Sequence, residues 1–256
     1  MQEDQLKVTD IARWPESKSL LAVTAYDYPM ARHLDEAGVD ILHVGDSLGM
    51  VVLGLEDTTG VTMADMIRAT ESVARARKRA LITADLPYGS YDSPNDAVKN
   101  SQLLMKAGAD AVKMEGGSSI IEQIRAVLAV GIPVQGHLGM LPQHIKEEGK
   151  YRKKGKKSEE AEAIYKDAHL LESEGVFSII LEAVVTDVAE RITQEISVPT
   201  IGIASGKRTD GQIHVLTDII GTTPWFQFPH VKPEMDGARQ IREAIQAVRK
   251  KMEPNA

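Results

Sequence analysis

The sequence predicts an α/β fold, specifically a closed (β/α)₈ barrel, and three observations lead there. Short β-rich apolar runs alternate with longer helical patterns from about residue 20 onward. One punctuation recurs, in Glu36-Ala37-Gly38-Val39-Asp40, Lys106-Ala107-Gly108-Ala109-Asp110 and Glu174-Gly175-Val176-Phe177: helix stop, glycine, next strand. Eight such units in 256 residues match the size of a barrel. A doubly wound open sheet is the alternative, because strand order cannot be read from a linear sequence.

The strand candidates, in order, are residues 20–24, 41–44, 80–84, 111–114, 133–136, 177–181, 199–203 and 226–231, most of them short runs rich in Val, Ile, Leu, Phe or Ala. Between them, helical spacing is found at 63–78, 94–107, 118–130, 159–174, 185–196 and 235–251. Thr62 and Ser93 stand where an N-terminal cap is wanted, with Pro94 in the first turn, and Ser158 is followed by acids that suit a positive helix end. Gly38, Gly108, Gly131 and Gly175 follow helices, where a left-handed residue is commonest. No Pro/Ser-rich linker divides the chain, so residues 1–256 are expected to form one domain with a short N-terminal extension. The stretch 143–158 is expected to be irregular. It carries Lys150, Arg152, Lys153, Lys154, Lys156 and Lys157 between Gly149 and Ser158, and reads either as a solvated loop or as a lid that helps hold an anion.

Composition narrows the function. The chain is 43% hydrophobic and 26% charged with a net charge of −7, so a chain-wide affinity for nucleic acid is not expected. The lack of cysteine removes thiolate metal sites and cysteine nucleophiles and leaves hard oxygen donors for any metal. No apolar run approaches the roughly 18 residues of a membrane span, and the opening residues lack a signal pattern, so a cytoplasmic location is expected.

In a barrel, the chemistry sits where strands give way to the following loops. Here those positions are acidic: Asp46 and Ser47 after the second strand, Asp85 after the third, Glu115 after the fourth and Glu182 after the sixth. One such acid could be a cap or a partner for a nearby base; four crowded together repel one another until protonation or a cation relieves them. A divalent cation such as Mg²⁺ suits that donor set. Alternation puts Lys113 and Glu115 on one face of the fourth strand, either as a buried salt bridge or as an anion-binding ammonium beside a metal-facing carboxylate. His137, between Gly136 and Gly139 at the end of the fifth strand, is a candidate substrate contact. His43, His144, His169, His214 and His230 show no HxH or HxxxH spacing, which argues against zinc. Gly202, Gly206 and Gly211 do not follow a nucleotide-binding pattern.

Six motifs resemble one family closely when taken in order: Thr24-Ala25-Tyr26-Asp27-Tyr28-Pro29, Val44-Gly45-Asp46-Ser47-Leu48-Gly49-Met50-Val51, Ala84-Asp85-Leu86-Pro87-Tyr88-Gly89-Ser90-Tyr91, Val112-Lys113-Met114-Glu115-Gly116-Gly117, Gly131-Ile132-Pro133-Val134-Gln135-Gly136-His137-Leu138-Gly139 and Asp210-Gly211-Gln212. The sequence is similar, almost end to end, to the 3-methyl-2-oxobutanoate (ketopantoate) hydroxymethyltransferases. The resemblance implies a barrel of the phosphoenolpyruvate mutase/isocitrate lyase-like superfamily and, commonly, a homodecamer. It also implies Mg²⁺-dependent transfer of a one-carbon unit from 5,10-methylenetetrahydrofolate to 3-methyl-2-oxobutanoate, giving 2-dehydropantoate for pantothenate synthesis through a metal-stabilised enolate. Carried over position by position, Asp46, Asp85 and Glu115 look like the metal ligands, direct or through water. Asp46, Ser47, Asp85 and Lys113 look like the 2-oxo acid contacts, and Glu182 like the proton acceptor.

The sequence also departs from the family. Where a Gly-Gly-Tyr/Phe-Lys-Val-Gln-Gly loop is common, this chain reads Gly149-Lys150-Tyr151-Arg152-Lys153-Lys154-Gly155. Leu141 replaces the usual Thr before Pro142, Ala183-Val184-Val185 follows the sixth-strand glutamate where Cys-Val/Pro is usual, and Ala204-Ser205-Gly206 replaces Gly-Ala-Gly. These changes surround the mouth and bear on the second substrate more than on enolisation. A lyase or mutase of the same superfamily is one alternative, although those enzymes carry an AspxAsp pair where this chain has Asp85 alone, and a loop cysteine. A catalytically silent binding homologue is the other.

Overall fold

The computed structural model describes residues 4–15, 17–225 and 231–253. Eight strands close into a barrel in chain order, as the βα repeat predicted. They are β1 (Leu20–Thr24), β2 (Ile41–Val44), β3 (Leu81–Asp85), β4 (Ala111–Glu115), β5 (Val134–Gly139), β6 (Ser178–Glu182), β7 (Thr200–Ile203) and β8 (Gly211–His214). Neighbours from β1 to β8 pair in parallel.

Seven of the eight expected strands appear within a few residues of their expected bounds. The eighth expectation, 226–231, lies outside the described residues except for Val231. The barrel's eighth place is instead taken by β8, whose Gly211-Gln212-Ile213-His214 is too short and too polar to stand out as a strand. Its glycine has a reason: a Cβ at Gly211 would lie 2.6 Å from the carbonyl oxygen of Leu20, at the seam where β8 meets β1.

The inward-facing residues change character along the strands. Near the N-terminal ends, Leu20, Ala22, Ile41, Leu81, Ala111, Ile180, Ile201 and Ile213 form a buried apolar cluster. It includes Ile11 from α1 (Val8–Ala12), with Leu6, Val8, Ala12 and Trp14 packed against it, so the N-terminal segment plugs the barrel floor. Two residues further along β2, β3 and β4 the same face turns polar, with His43, Thr83 and Lys113 buried, and Gln135 of β5 and Ser178 of β6 are buried polar side chains as well. The acids before the strands are structural. Asp40 accepts from the Leu21 amide (3.0 Å), Asp110 from Ile82 (2.8 Å) and Asp210 from Thr200 (2.8 Å), which ties each strand entry to its neighbour and explains the Asp in the recurring punctuation.

The helices follow their caps. In α4 (Met63–Ala76) Thr62 and Asp65 form a capping box, and Met66, Ala69, Thr70, Val73 and Ala76 make the buried face. Helix α5 (Pro94–Ala107) is capped by Ser93, begins with Pro94 and stops at Gly108, whose φ of 109° and closeness to Ala74 exclude a side chain. The expected helix 118–130 is a 3₁₀ turn, Ser118–Ile120, followed by α6 (Ile121–Ala129). Shorter helices α2 (Tyr28–Glu36) and α3 (Leu48–Val51) follow β1 and β2.

The stretch 143–158 is less irregular than expected. It opens on a 3₁₀ turn, Pro142–His144, and α7 (Ile145–Glu148), and only then runs extended to α8 (Ser158–Glu174). Lys157, not Ser158, is the capping position of α8, and it provides no side-chain cap. Helix α9 (Thr186–Glu195) leads to β7. Residues 214–256 form a separate compact unit, in which α10 (Leu216–Ile220) ends on Gly221 and α11 (Gly237–Lys251) starts at the Asp236 cap, with the Ala238 amide bonded to the Gly221 carbonyl.

Candidate active site

Strand register brings the predicted acids together. Asp85 lies opposite Lys113, Glu115 opposite His137, and Gly139 opposite Glu182, so β3 to β6 deliver their terminal side chains to one mouth. Lys113 Nζ sits between Asp85 Oδ2 (2.9 Å) and Glu115 Oε1 (3.1 Å), each side chain less than 5% exposed. The salt bridge anticipated for Lys113 and Glu115 therefore exists, with Asp85 as a third member. Asp46 joins through its backbone, its amide donating to Asp85 Oδ2 at 3.0 Å. Asp85 Oδ1 is 3.1 Å from His43 Nε2 but lacks an aligned hydrogen bond.

His137 stands between two carboxylates, Nδ1 3.4 Å from Glu115 and Nε2 3.3 Å from Glu182, at ion-pair distance without hydrogen-bond alignment. Glu182 is the most open of the group, its side chain 13% exposed, and it faces the mouth. Ser47 begins the turn into α3 without capping it, and its hydroxyl lies 2.9 Å from the Tyr26 hydroxyl.

Four contributors were not singled out as site residues from the sequence. Gln143 ties the knot: its side-chain amide donates to Asp46 Oδ2 (2.8 Å) and to the Leu86 carbonyl (2.9 Å), and its backbone amide donates to Glu115 Oε2 (3.1 Å). Tyr91 donates to Gln143 Oε1. His43 is held by Thr83 Oγ1 at 2.8 Å; strand alternation from Ile41 already puts it inward. Tyr151 reaches in from the basic stretch and its hydroxyl bonds Glu182. Gln143 sits on a 3₁₀ turn, where no periodicity could have revealed it.

The electrostatics separate the four acids. Burial favours the neutral form of Glu115, but Lys113 and His137 outweigh it and hold the carboxyl down to about 2. Asp85 is likewise held below the usual range, against burial, by Lys113 and His43. Asp46 goes the other way: burial and then the charge of Asp85 push it well above the ordinary value, and Lys113 compensates only in part. Burial lowers Lys113, yet Asp85, Glu115 and Asp46 together raise it well above a normal lysine. His137 is opposed by burial but lifted to about 9, first by Glu115. The Tyr151 phenol is raised by burial and by Glu182. The knot thus holds an ammonium and an imidazolium among carboxylates, with Asp46 as the acid that lacks full compensation.

Among the described residues, no group of three His, Asp or Glu side chains is arranged to hold a metal ion as it stands, since Glu115 is turned to Lys113, His137 and Gln143. Two carboxylates remain adjacent, Asp46 and Asp85.

Comparison with known proteins decides the family. The model of the ketopantoate hydroxymethyltransferase family matches residues 5–255. The chain belongs to this family. It is 47% identical to the 3-methyl-2-oxobutanoate hydroxymethyltransferase of Ignicoccus hospitalis over 94% of this chain and 92% of that protein. The enzyme of the same name from Pyrobaculum arsenaticum is 44% identical over 99% and 97% of the two chains. Among solved structures, oxaloacetate acetylhydrolase superposes with a TM-score of 0.67 at 14% identity over 97% and 90% of the chains. 2,3-Dimethylmalate lyase, a member of the phosphoenolpyruvate mutase/isocitrate lyase superfamily, gives 0.64 at 18% identity over 98% and 90%. At such identities the likeness shows the fold, which this ketopantoate hydroxymethyltransferase family member shares.

Proposed function

We propose that the chain transfers a one-carbon unit from 5,10-methylenetetrahydrofolate to C3 of 3-methyl-2-oxobutanoate, giving 2-dehydropantoate. Membership of the ketopantoate hydroxymethyltransferase family supports the reaction. The residue roles rest on one observation: the Asp85–Lys113–Glu115 knot lies across β5 from a more open carboxylate, Glu182, reached through His137.

The donor set suits a hard divalent cation such as Mg²⁺. Asp46 and Asp85 are adjacent and buried, Asp85 Oδ1 lacks an aligned hydrogen bond, and the charge of Asp46 is only partly compensated. Mg²⁺ needs only one or two protein carboxylates beside water and substrate. Asp46 and Asp85 would hold it, with Glu115 reached through water. A cation held there would supply Lewis-acid polarisation of the 2-oxo acid's oxygens, which would make its C3 proton more acidic. Phosphonopyruvate hydrolase, of the same fold, has been solved with oxalate and Mg²⁺.

The chain's own residues do the rest. Lys113 places a positive charge beside the substrate oxygens. Ser47, whose hydroxyl partners Tyr26, donates to the substrate carboxylate, and His137 contacts the substrate while fixing Glu182 from its buried side. Glu182 takes the C3 proton, a contribution on the order of 10² to 10⁴ in rate. The freed C3 pair forms the new C–C bond to the carrier's methylene carbon and water forms the C–O bond. Both of that carbon's bonds to nitrogen, at N5 and N10, break, and the two nitrogens take up the proton held by Glu182 and one from water.

The partners proposed are small molecules, not nucleic acid, in keeping with the net charge of −7, and the setting proposed is the cytoplasm. Among the described residues no helix is long and apolar enough to cross a membrane. A homo-oligomer, the decamer of the resemblance, has a candidate contact face in Ile241, Ile245 and Val248 of α11, each more than half exposed.

Deuterium exchange at C3 tests the reading. In heavy water with Mg²⁺, the wild type should exchange the C3 proton of 3-methyl-2-oxobutanoate and form product when the carrier is added. Glu182→Gln should still bind the 2-oxo acid but exchange at least 100-fold more slowly. Undiminished exchange in that variant would remove Glu182 from the base role.

A further inference from the structure

We infer that the basic stretch between α7 and α8 is a subsite for the polyanionic tail of the one-carbon carrier, the run of γ-linked carboxylates that extends a folate beyond its first glutamate. The inference rests on the transferase reading and adds to it the part of the second substrate that the knot does not touch.

Charge is the first ground. The whole chain is acidic, yet residues 148–160 hold six cations against three glutamates. Two cations are used internally: Lys154 is buried and paired with Glu148, and Arg152 binds Glu160 at 2.8 Å. Glu160 is further satisfied by the Gly155 amide at 2.7 Å. Lys150, Lys153, Lys156 and Lys157 are exposed and, among the described residues, make no ion pair. Four like charges held so close repel one another, and that cost is relieved by a ligand of opposite sign.

Place is the second ground. The Lys154 amide donates to the Ala183 carbonyl at 2.8 Å, and the Val185 amide to the Lys154 carbonyl at 2.9 Å. The stretch is therefore stitched to the chain directly after Glu182, while Tyr151 bonds Glu182 itself. The lysines flank these anchors on both sides, so they rim the mouth where the carrier must bring its methylene carbon. Even fully extended, residues 152–157 lie within about 20 Å of Tyr151, a span that several linked glutamates cover.

Shape is the third. Arg152, Lys156, Lys157, Glu159 and Glu160 line an open cleft of about 510 Å³. Glu160 is neutralised by Arg152, so Glu159 is the single acid there that opposes an anion.

Each exposed pair is worth roughly a factor of two, so four should give on the order of tenfold. The test is equilibrium binding of tetrahydrofolate carrying one or five glutamates, at low and at moderate salt, to the wild type and to K150Q/K153Q/K156Q/K157Q. The pentaglutamate should bind the wild type about tenfold more tightly. That preference should fade with salt and vanish in the variant, whose monoglutamate affinity stays unchanged and whose thermal midpoint does not fall. Equal affinities in the wild type, or a preference that survives in the variant, would overturn the subsite. So would tripolyphosphate binding at these lysines without any preference for the longer folate, which would point to a phosphate-bearing ligand. Exchange and transfer assays run alongside separate the two readings. Normal transfer with no tail preference defeats the subsite alone; tail preference without transfer keeps the carrier site and defeats the proposed reaction.

Discussion

Replacing Lys113 by methionine keeps most of the apolar stem and removes the ammonium, leaving Asp85 and Glu115 buried and facing each other's charge. Breaking a buried ion pair by deleting one partner typically costs about 3–5 kcal/mol. A second route gives a similar figure. Glu115 is held at about 2 against an ordinary 4.5, and two and a half pH units at about 1.4 kcal/mol each amount to roughly 3–4 kcal/mol for the net hold that Lys113, with His137, exerts against burial. The direction follows from the depressed carboxyl: the stabilisation is present above pH 4.5 and is lost as pH falls towards 2. K113M, studied with chelator so that no cation substitutes for the lysine, should therefore melt about 10 °C lower than the wild type at pH 7. The gap should narrow steadily below pH 4.5. A thermal or urea unfolding series across pH reads this directly. A deficit under about 1 kcal/mol at pH 7, or one that does not shrink in acid, would refute the claim that Lys113 neutralises this pair.

Other substitutions probe the rest of the mouth. His137→Asn removes a cation lifted to about 9, so under chelation the wild type should hold an advantage of roughly 3 kcal/mol below pH 6.5 that fades as pH rises through 9; a pH-independent difference would contradict it. Gly139→Ala places a methyl on a φ of +99° and against the Glu182 carbonyl oxygen, and should cost about 2 kcal/mol or more while reducing C3 exchange, measured by unfolding and by deuterium uptake. Gln143→Leu strips donors from Asp46 and the Leu86 carbonyl and leaves Tyr91 without its acceptor; a loss of about 2–4 kcal/mol in unfolding free energy is expected, with weakened Mg²⁺ binding by calorimetry.

The fold was legible where local chemistry repeats. Gly108, Ser93 and Thr62 stop and start helices in any context, and the apolar runs from β1 to β7 announce themselves within a few residues. β8 was not legible, because Gly211-Gln212-Ile213-His214 becomes a strand through closure against Leu20 and not through its own propensity. In the mouth, Asp46, Asp85, Glu115, His137 and Glu182 could be named because each stands at or just after an expected strand end, and Lys113 because period-two alternation puts it on the face of Glu115. Gln143, Tyr91 and Tyr151 arrive from turns and loops, whose reach depends on three-dimensional placement. Sequence reasoning also read the Lys113–Glu115 pair as a choice between salt bridge and function, whereas the geometry joins it to Asp85 as well.

The polar layer has a consequence for how the chain finds its fold. If β4 slid by one residue against β3 or β5, Met114 would turn into the barrel, and Lys113 and Glu115 would be driven into the oily layer between sheet and helices, with no counter-charge to meet them. Misaligned barrels are thereby penalised by the same groups that would handle the substrate. The mouth proofreads the assembly, and a variant that made this layer uniformly greasy would lose its chemistry and also the signal that tells one strand alignment from the next.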